Sequence, residues 1–164
     1  MKTKNTLQSL PMDNSTVFLR ADLNVPLDGS DIRDQTRILA SLPTINHLLN
    51  RGCLVVLASH LGRPKGKPNP QMSLLPVADK LNELIEFPVY FAPDCIGNSV
   101  TELIEKHKGK PAVIVLENLR FYKGETDNDS EFSKQLAKHA SFYVNDAFGT
   151  AHRDHASTYG VPQL

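Results

Sequence analysis

Five short apolar runs punctuate the chain: TVFLRADLNV (16 to 25), CLVVLAS (53 to 59), PVYFA (88 to 92), AVIVLEN (112 to 118) and SFYVNDA (141 to 147). They are close to continuously apolar rather than alternating, which is the pattern of strands buried on both faces in a parallel sheet. Between them apolar residues return at helical spacing. Ile38, Leu42, Ile45 and Leu49 form one such face, and Gly52 after Arg51 supplies a stop. Pro43 leaves two starts open, a helix kinked at the proline or one that begins near Ser41. SLLPVADKLNELI offers Ser73 as an N-cap and Pro76 in the first turn, with Val77, Leu81 and Leu84 on one face. NSVTELIEKHKG ends at Gly109, and Asn128 with Glu131 three residues on makes a capping-box arrangement ahead of EFSKQLAKHA. Strands alternating with helices predict an α/β fold, doubly wound: a mainly parallel sheet with helices on both faces, a three-layer α/β/α, Rossmann-like arrangement. RPKGKPNP reads as an exposed loop, and the last residues, HASTYGVPQL, as no finished element.

Composition narrows the partners. At 164 residues the chain is expected to be one domain with a sizeable core. Lys plus Arg and Asp plus Glu number 18 each, and no block of like charge forms a nucleic-acid arm, so any anion site must come from local placement. Cys53 and Cys95 have neither metal-ligand spacing nor a C-x-x-C pairing and read as reduced core residues, which suits a cytoplasmic protein. The opening MKTKNTLQSLPMDNST lacks an apolar signal region, and no run approaches the length of a membrane span. His47, His107 and His139 read as surface residues of helices; His152 and His155 flank Arg153 without the companions a zinc site requires.

In open α/β sheets ligands bind at the carboxyl ends of the strands. The first run delivers Asp22 and Asn24 there, the second His60 and Arg63, the fourth Arg120, and the fifth Asn145, Asp146 and then Arg153; the third offers only Asp94. Arg37, at the start of the first helix, falls on the same edge by connectivity. Arginine matches phosphate and carboxylate with a planar, permanently charged fork. Four arginines on one rim, with a histidine and helix N-termini, point to a small polyanion. The structural alternative is an arginine network paired with Asp22, Asp146 and Glu117, or, for Arg37, a pairing with Asp34.

The loop ASHLGRPKGK (58 to 67) could be a nucleotide loop, a nucleic-acid patch or a solvated corner. A P-loop needs four residues between its glycines and a Ser or Thr after the lysine; here three residues separate Gly62 from Gly66, and Pro68 follows Lys67. No G-x-G-x-x-G follows any strand, so the sequence holds no recognisable nucleotide site. Lys65 and Lys67 read as a solvated edge that adds steering.

RADLNVPLDG, DQTRILASLPTI, ASHLGRPKGK, LLPVA, LENLRFYKGE and YVNDAFGTAHRDHAS occur in the order of the signatures of the N-terminal domain of phosphoglycerate kinases, and from about Val17 to Gly160 the chain resembles that family. The resemblance implies that residues 1–164 are an N-terminal, 3-phosphoglycerate-binding domain, truncated before a C-terminal nucleotide-binding domain. It implies reversible phosphoryl transfer between 1,3-bisphosphoglycerate and ADP, with Mg-ATP or Mg-ADP held by the missing domain and no cofactor bound by this chain. Carried over residue by residue, Asp22, Leu23 and Asn24 would meet the hydroxyl and carboxylate end of the acid. Arg37, His60, Leu61, Gly62, Arg63, Arg120 and Arg153 would surround its charged groups, with Arg37 as the catalytic cation. The expected partners are 3-phosphoglycerate, 1,3-bisphosphoglycerate and the second domain, with no nucleic acid and no membrane, in a monomer. Two other readings stand beside it: a non-catalytic phospho-acid or sugar-phosphate binding module, and an RNA-binding module using RPKGK, which zero net charge and the lack of a strand-borne aromatic pair oppose.

Overall fold

A computed structural model describes residues 7–147 and 153–164. Its centre is a five-stranded sheet of β1 (Thr16–Ala21), β4 (Leu54–Ala58), β5 (Val89–Phe91), β6 (Ala112–Val115) and β7 (Phe142–Asp146), in the order β5-β6-β4-β1-β7 with every pairing parallel. Side chains alternate across a strand, so each strand feeds two cores. On one face Val17, Leu19, Val55, Leu57, Val113 and Val115 pack under α1 (Thr36–Asn50) and α2 (Leu75–Leu84) through Ile38, Ile45, Leu48, Val77 and Leu81. On the other, Phe18, Leu54, Val56 and Ile114 meet α3 (Asn98–His107) and α5 (Ser130–Ala137) through Val100, Ile104, Phe132 and Leu136. Two apolar layers on one sheet make the three-layer, doubly wound arrangement that the continuous apolar runs predict.

Parallel strands place all their carboxyl ends on one edge, and β1 lies between β4 and β7, with Arg20 in register with Ala58 on one side and Asn145 on the other. The chain winds from β1 toward β4 and later crosses back to β7, so the order reverses around β1, the position at which such sheets leave a crevice.

Several local readings are corrected. The first helix runs unbroken from Thr36 through Pro43 to Asn50, so a start near Ser41 is excluded. The cap of α5 is Asp129, whose carboxylate accepts from Phe132 N at 2.9 Å, while Asn128 takes a left-handed φ of 51° in the turn before it. His139 is not a surface residue: it is 6% exposed, and its Nε2 lies 2.8 Å from the Cys95 carbonyl oxygen. The pattern missed a two-residue antiparallel pair, β2 (Leu27–Asp28) and β3 (Asp31–Ile32), and the short helix α4 (Lys123–Thr126). The terminal stretch is ordered into a π turn (Ala156–Gly160) and a 3-10 turn (Val161–Gln163), whose Ala156 and Val161 join the second core. His152 lies outside the described residues. Gly52 ends α1 at φ 79°, and a Cβ there would sit 2.2 Å from Asn14 Oδ1, so the stop requires glycine.

Candidate anion-binding site

The loops after β1 and β4 are tied together by side-chain hydrogen bonds. Asp22 Oδ1 accepts from Asn24 N at 3.1 Å, an Asx turn that orients the loop. Asn24 Oδ1 accepts from Gly62 N at 2.9 Å, and the Gly62 carbonyl accepts from Arg120 Nη1 at 3.2 Å. The N–H groups of Leu23 and Leu61 are taken by Ser59 Oγ at 2.9 Å and Asn118 Oδ1 at 3.2 Å, and both leucines are buried. Three of the predicted site residues, Leu23, Leu61 and Gly62, thus spend their backbone donors in joining the loops.

The arginines divide between two clefts on the rim. Arg37 lines one of about 310 Å³ with Asn24, Pro26 and Asp34. Its Nη1 donates to Asp22 Oδ1 at 3.2 Å and to the Asn24 carbonyl at 2.8 Å, so one edge of the fork is anchored while Nη2 and Nε have no partner among the described residues. Arg63, Arg120 and Arg153 line the second, of about 300 Å³, together with Lys65, Thr126 and His155. Arg63 and Arg153 are exposed and make no ion pair within the described residues. Arg120 is partly buried: burial pushes its pKa down, and the nearby Arg153, Arg20 and Arg63 add to the effect against an opposing pull from Glu125. The buried Arg120 Nε has no hydrogen-bond partner among the described residues.

Among the described residues, Arg37 with Asp22 is the one ion pair of the alternative network that forms. Asp34 Oδ1 instead caps Thr36 N at 2.8 Å. Glu117 anchors the start of α2, accepting from Ser73 Oγ at 2.7 Å, Leu74 N at 2.9 Å and Asn118 N at 2.8 Å. Asp94 accepts from Tyr122 Oη and from Cys95 N, and stays with edge strand β5. A larger cleft of about 740 Å³ shares Gly66 with the basic one but is mainly apolar, with Pro68, Pro70, Pro76, Pro93 and Tyr122 in its wall. It contains none of the four rim arginines.

Behind the rim sits a group that the strand-end inventory passed over. Arg20 is fully buried. Its Nε donates to Ser157 Oγ at 2.8 Å, Nη1 donates to the Ala21 carbonyl, and Nη2 lies 2.9 Å from Nδ1 of His60. Glu125, also fully buried, accepts from Ser157 N at 2.8 Å and Ser157 Oγ at 2.7 Å. His60 is 5% exposed, and burial together with Arg20, Arg120, His155 and Arg153 lowers its pKa to about 2. A guanidinium inside an otherwise apolar strand is a sequence signal for this network; Lys65 and His155 carried no comparable signal, and only the folded loops bring them to the cleft. Among the described residues no group of three His, Cys, Asp or Glu could hold a metal ion.

Fold and site together define a doubly wound lobe with a cationic rim at the carboxyl ends of its strands. The family model for phosphoglycerate kinase matches residues 7–164, and the chain belongs to that family. It is 54% identical over 164 residues to the cytosolic phosphoglycerate kinase of Triticum aestivum and 52% identical over 162 residues to that of Trichodesmium erythraeum, covering 99% and 97% of this chain but 40% of each relative. The solved phosphoglycerate kinase of Coxiella burnetii superposes with a TM-score of 0.82 at 37% identity, over 94% of this chain and 38% of that one; that of Pyrococcus horikoshii gives 0.83 at 35%. The chain therefore spans about two-fifths of the length of the relatives it matches.

Proposed function

We propose that this chain is the acid-substrate half of a phosphoglycerate kinase, holding 3-phosphoglycerate or 1,3-bisphosphoglycerate while a second lobe, in the part of the family's length beyond this chain, carries Mg-ATP or Mg-ADP. The observation that carries the reading is the division of the rim: three arginines and a lysine around one cleft, and a single half-anchored arginine beside Asn24 at another.

The division suits an acid with permanent anions at one end and a carboxylate that accepts or surrenders a phosphoryl group at the other. Arg63, Arg120 and Arg153 hold the permanent anion in ground and transition states alike, and such uniform binding lowers KM without raising kcat. Asp22 and Asn24 face the hydroxyl and carboxylate end. Arg37, fixed through Nη1, turns its remaining donors toward the transferring group. The acceptor is already a carboxylate and needs no general base, so acceleration comes from positioning and from cations aimed at the moving charge.

Steady-state kinetics of a full-length enzyme carrying this domain test the assignment. Arg37→Ala lowers kcat by about a hundredfold or more, the scale of losing one preorganised transition-state donor. Arg63→Ala acts mainly on KM for the acid. A near-normal kcat in a folded Arg37→Ala enzyme would reduce Arg37 to a surface partner of Asp22, whose loss costs about 1 kcal/mol or less of stability.

A further inference from the structure

Arg20 has five N–H donors and no acceptor, and that asymmetry determines the chemistry of its neighbours. At the 2.9 Å contact with His60 the guanidinium can only donate, so Nδ1 must present its lone pair and the ring proton must sit on Nε2. On the other side Ser157 Oγ accepts from Arg20 and donates its own O–H hydrogen bond to Glu125 Oε1. A buried carboxylate, a hydroxyl, a buried guanidinium and an imidazole thus form one line, Glu125–Ser157–Arg20–His60, running from α4 across the terminal turn and the end of β1 to the loop after β4.

We propose that Arg20 is a positioning residue of the acid-substrate site, which holds His60 as the neutral Nε2–H tautomer so that the ring offers one fixed, uncharged donor among the rim arginines. The inference rests on the reading of that site as an acid-substrate site. Nε2 has no partner among the described residues, so its proton is available to an oxygen of the ligand.

Protonation of Nδ1 would break the bond to Arg20 and set two cations in contact. The groups that face the ring reinforce this: Arg20 from β1, Arg120 from the turn after β6, and Arg153 and His155 from the terminal segment all disfavour imidazolium. The one buried carboxylate in the line, Glu125, is engaged through Ser157 with Arg20 rather than with the ring. A neutral donor contributes a directed hydrogen bond without adding to the repulsion among the arginines when no ligand is bound, and its contribution does not change across the physiological pH range.

Long-range proton–nitrogen correlation spectra of the ligand-free chain, with histidines labelled in nitrogen-15, read the tautomer directly. For His60 we expect an unprotonated Nδ1 and a protonated Nε2, unchanged between about pH 5 and 8, where an ordinary histidine titrates. In the double variant Arg20→Met, Glu125→Gln, which removes both buried charges and so strands neither, the ring should exchange between tautomers, while burial, Arg120, His155 and Arg153 still hold it mainly neutral. A wild-type ring protonated on Nδ1, a wild-type ring that titrates in the ordinary range, or a folded double variant with an unchanged tautomer would each overturn the proposal. The wild-type spectrum decides even if the variant fails to fold.

Two substitutions connect the tautomer to binding. His60→Gln places an amide N–H near the position of Nε2, and His60→Asn near that of Nδ1. The first should keep 3-phosphoglycerate affinity within about threefold and the second should lose about tenfold, the scale of one hydrogen bond to a charged group. Equal losses would overturn the role of Nε2. Because the tautomer is read without ligand, its failure is distinguishable from failure of the acid-binding reading, which would show as absence of any response to 3-phosphoglycerate.

Discussion

Asn118 shows how one residue sets the geometry of the rim. Its Nδ2 donates to the Leu61 carbonyl at 2.7 Å and the Met72 carbonyl at 2.9 Å, and its Oδ1 accepts from Leu61 N at 3.2 Å and Arg120 N at 3.0 Å. Every hydrogen-bonding position of the amide is used, in a side chain with no exposure. Asn118→Ala leaves four backbone groups without partners and should lower stability by about 3 kcal/mol or more, read as an earlier midpoint in urea unfolding at an unchanged slope. A loss below about 1 kcal/mol would mean that the loops hold their positions without it. Nothing in ENLRF announces this role, because side chains that bond to distant backbone leave no periodic trace. The arginines and His60 were legible for the opposite reason: the strand ends place them on the rim whatever the detail of the loops. Arg20 was visible in TVFLRADLNV as a charge in an apolar run, yet its meaning required Ser157 and Glu125, which lie 137 and 105 positions along the chain from it.

At the scale of elements, the loop from Gly62 to Lys67 joins β4 to the basic cleft through three left-handed residues, Gly62 at φ 63°, Lys65 at 59° and Gly66 at 77°. Gly66 N donates to the Arg120 carbonyl at 3.1 Å, and a Cβ on Gly66 would stand 3.1 Å from Lys123 N and 3.2 Å from Lys123 Cα. A Cβ on Gly62 would meet the Met72 thioether at 3.2 Å, a flexible side chain that can yield. Gly66→Ala should therefore destabilise the fold by about 1–2 kcal/mol, and by more than Gly62→Ala, since both pay the left-handed penalty and only Gly66 abuts backbone. The order of the two unfolding midpoints checks it; the reverse order would show that the loop is not held against α4. The major elements were legible because a doubly covered parallel strand is apolar throughout and a covering helix is apolar on one face. The β2 and β3 pair and α4 are too short to establish a period, and the terminal turns are ordered by packing Ala156 and Val161 against α5 rather than by local preference. Tertiary contact also allows α1 to pass through Pro43, with Leu42 and Ile45 on either side packed in the first core.

Over the whole molecule, charge is balanced, with 18 basic and 18 acidic residues, yet its distribution is uneven: Arg63, Arg120, Arg153 and Lys65 meet at one cleft, while Asp22, Glu117 and Glu125 are occupied in structural bonds. Among the described residues no helix is long and apolar enough to cross a membrane. The proposed function requires this rim to recognise a phosphorylated acid rather than any anion. Titration of the labelled chain with 3-phosphoglycerate, followed by backbone amide shifts and set beside a titration with inorganic sulfate, tests it most directly. Saturable shifts are expected at Asn24, Gly62, Arg63, Arg120 and Arg153, in both clefts, at lower concentrations of the acid than of sulfate and weakened by added salt. No shift at millimolar 3-phosphoglycerate, or an equal response to sulfate, would contradict it.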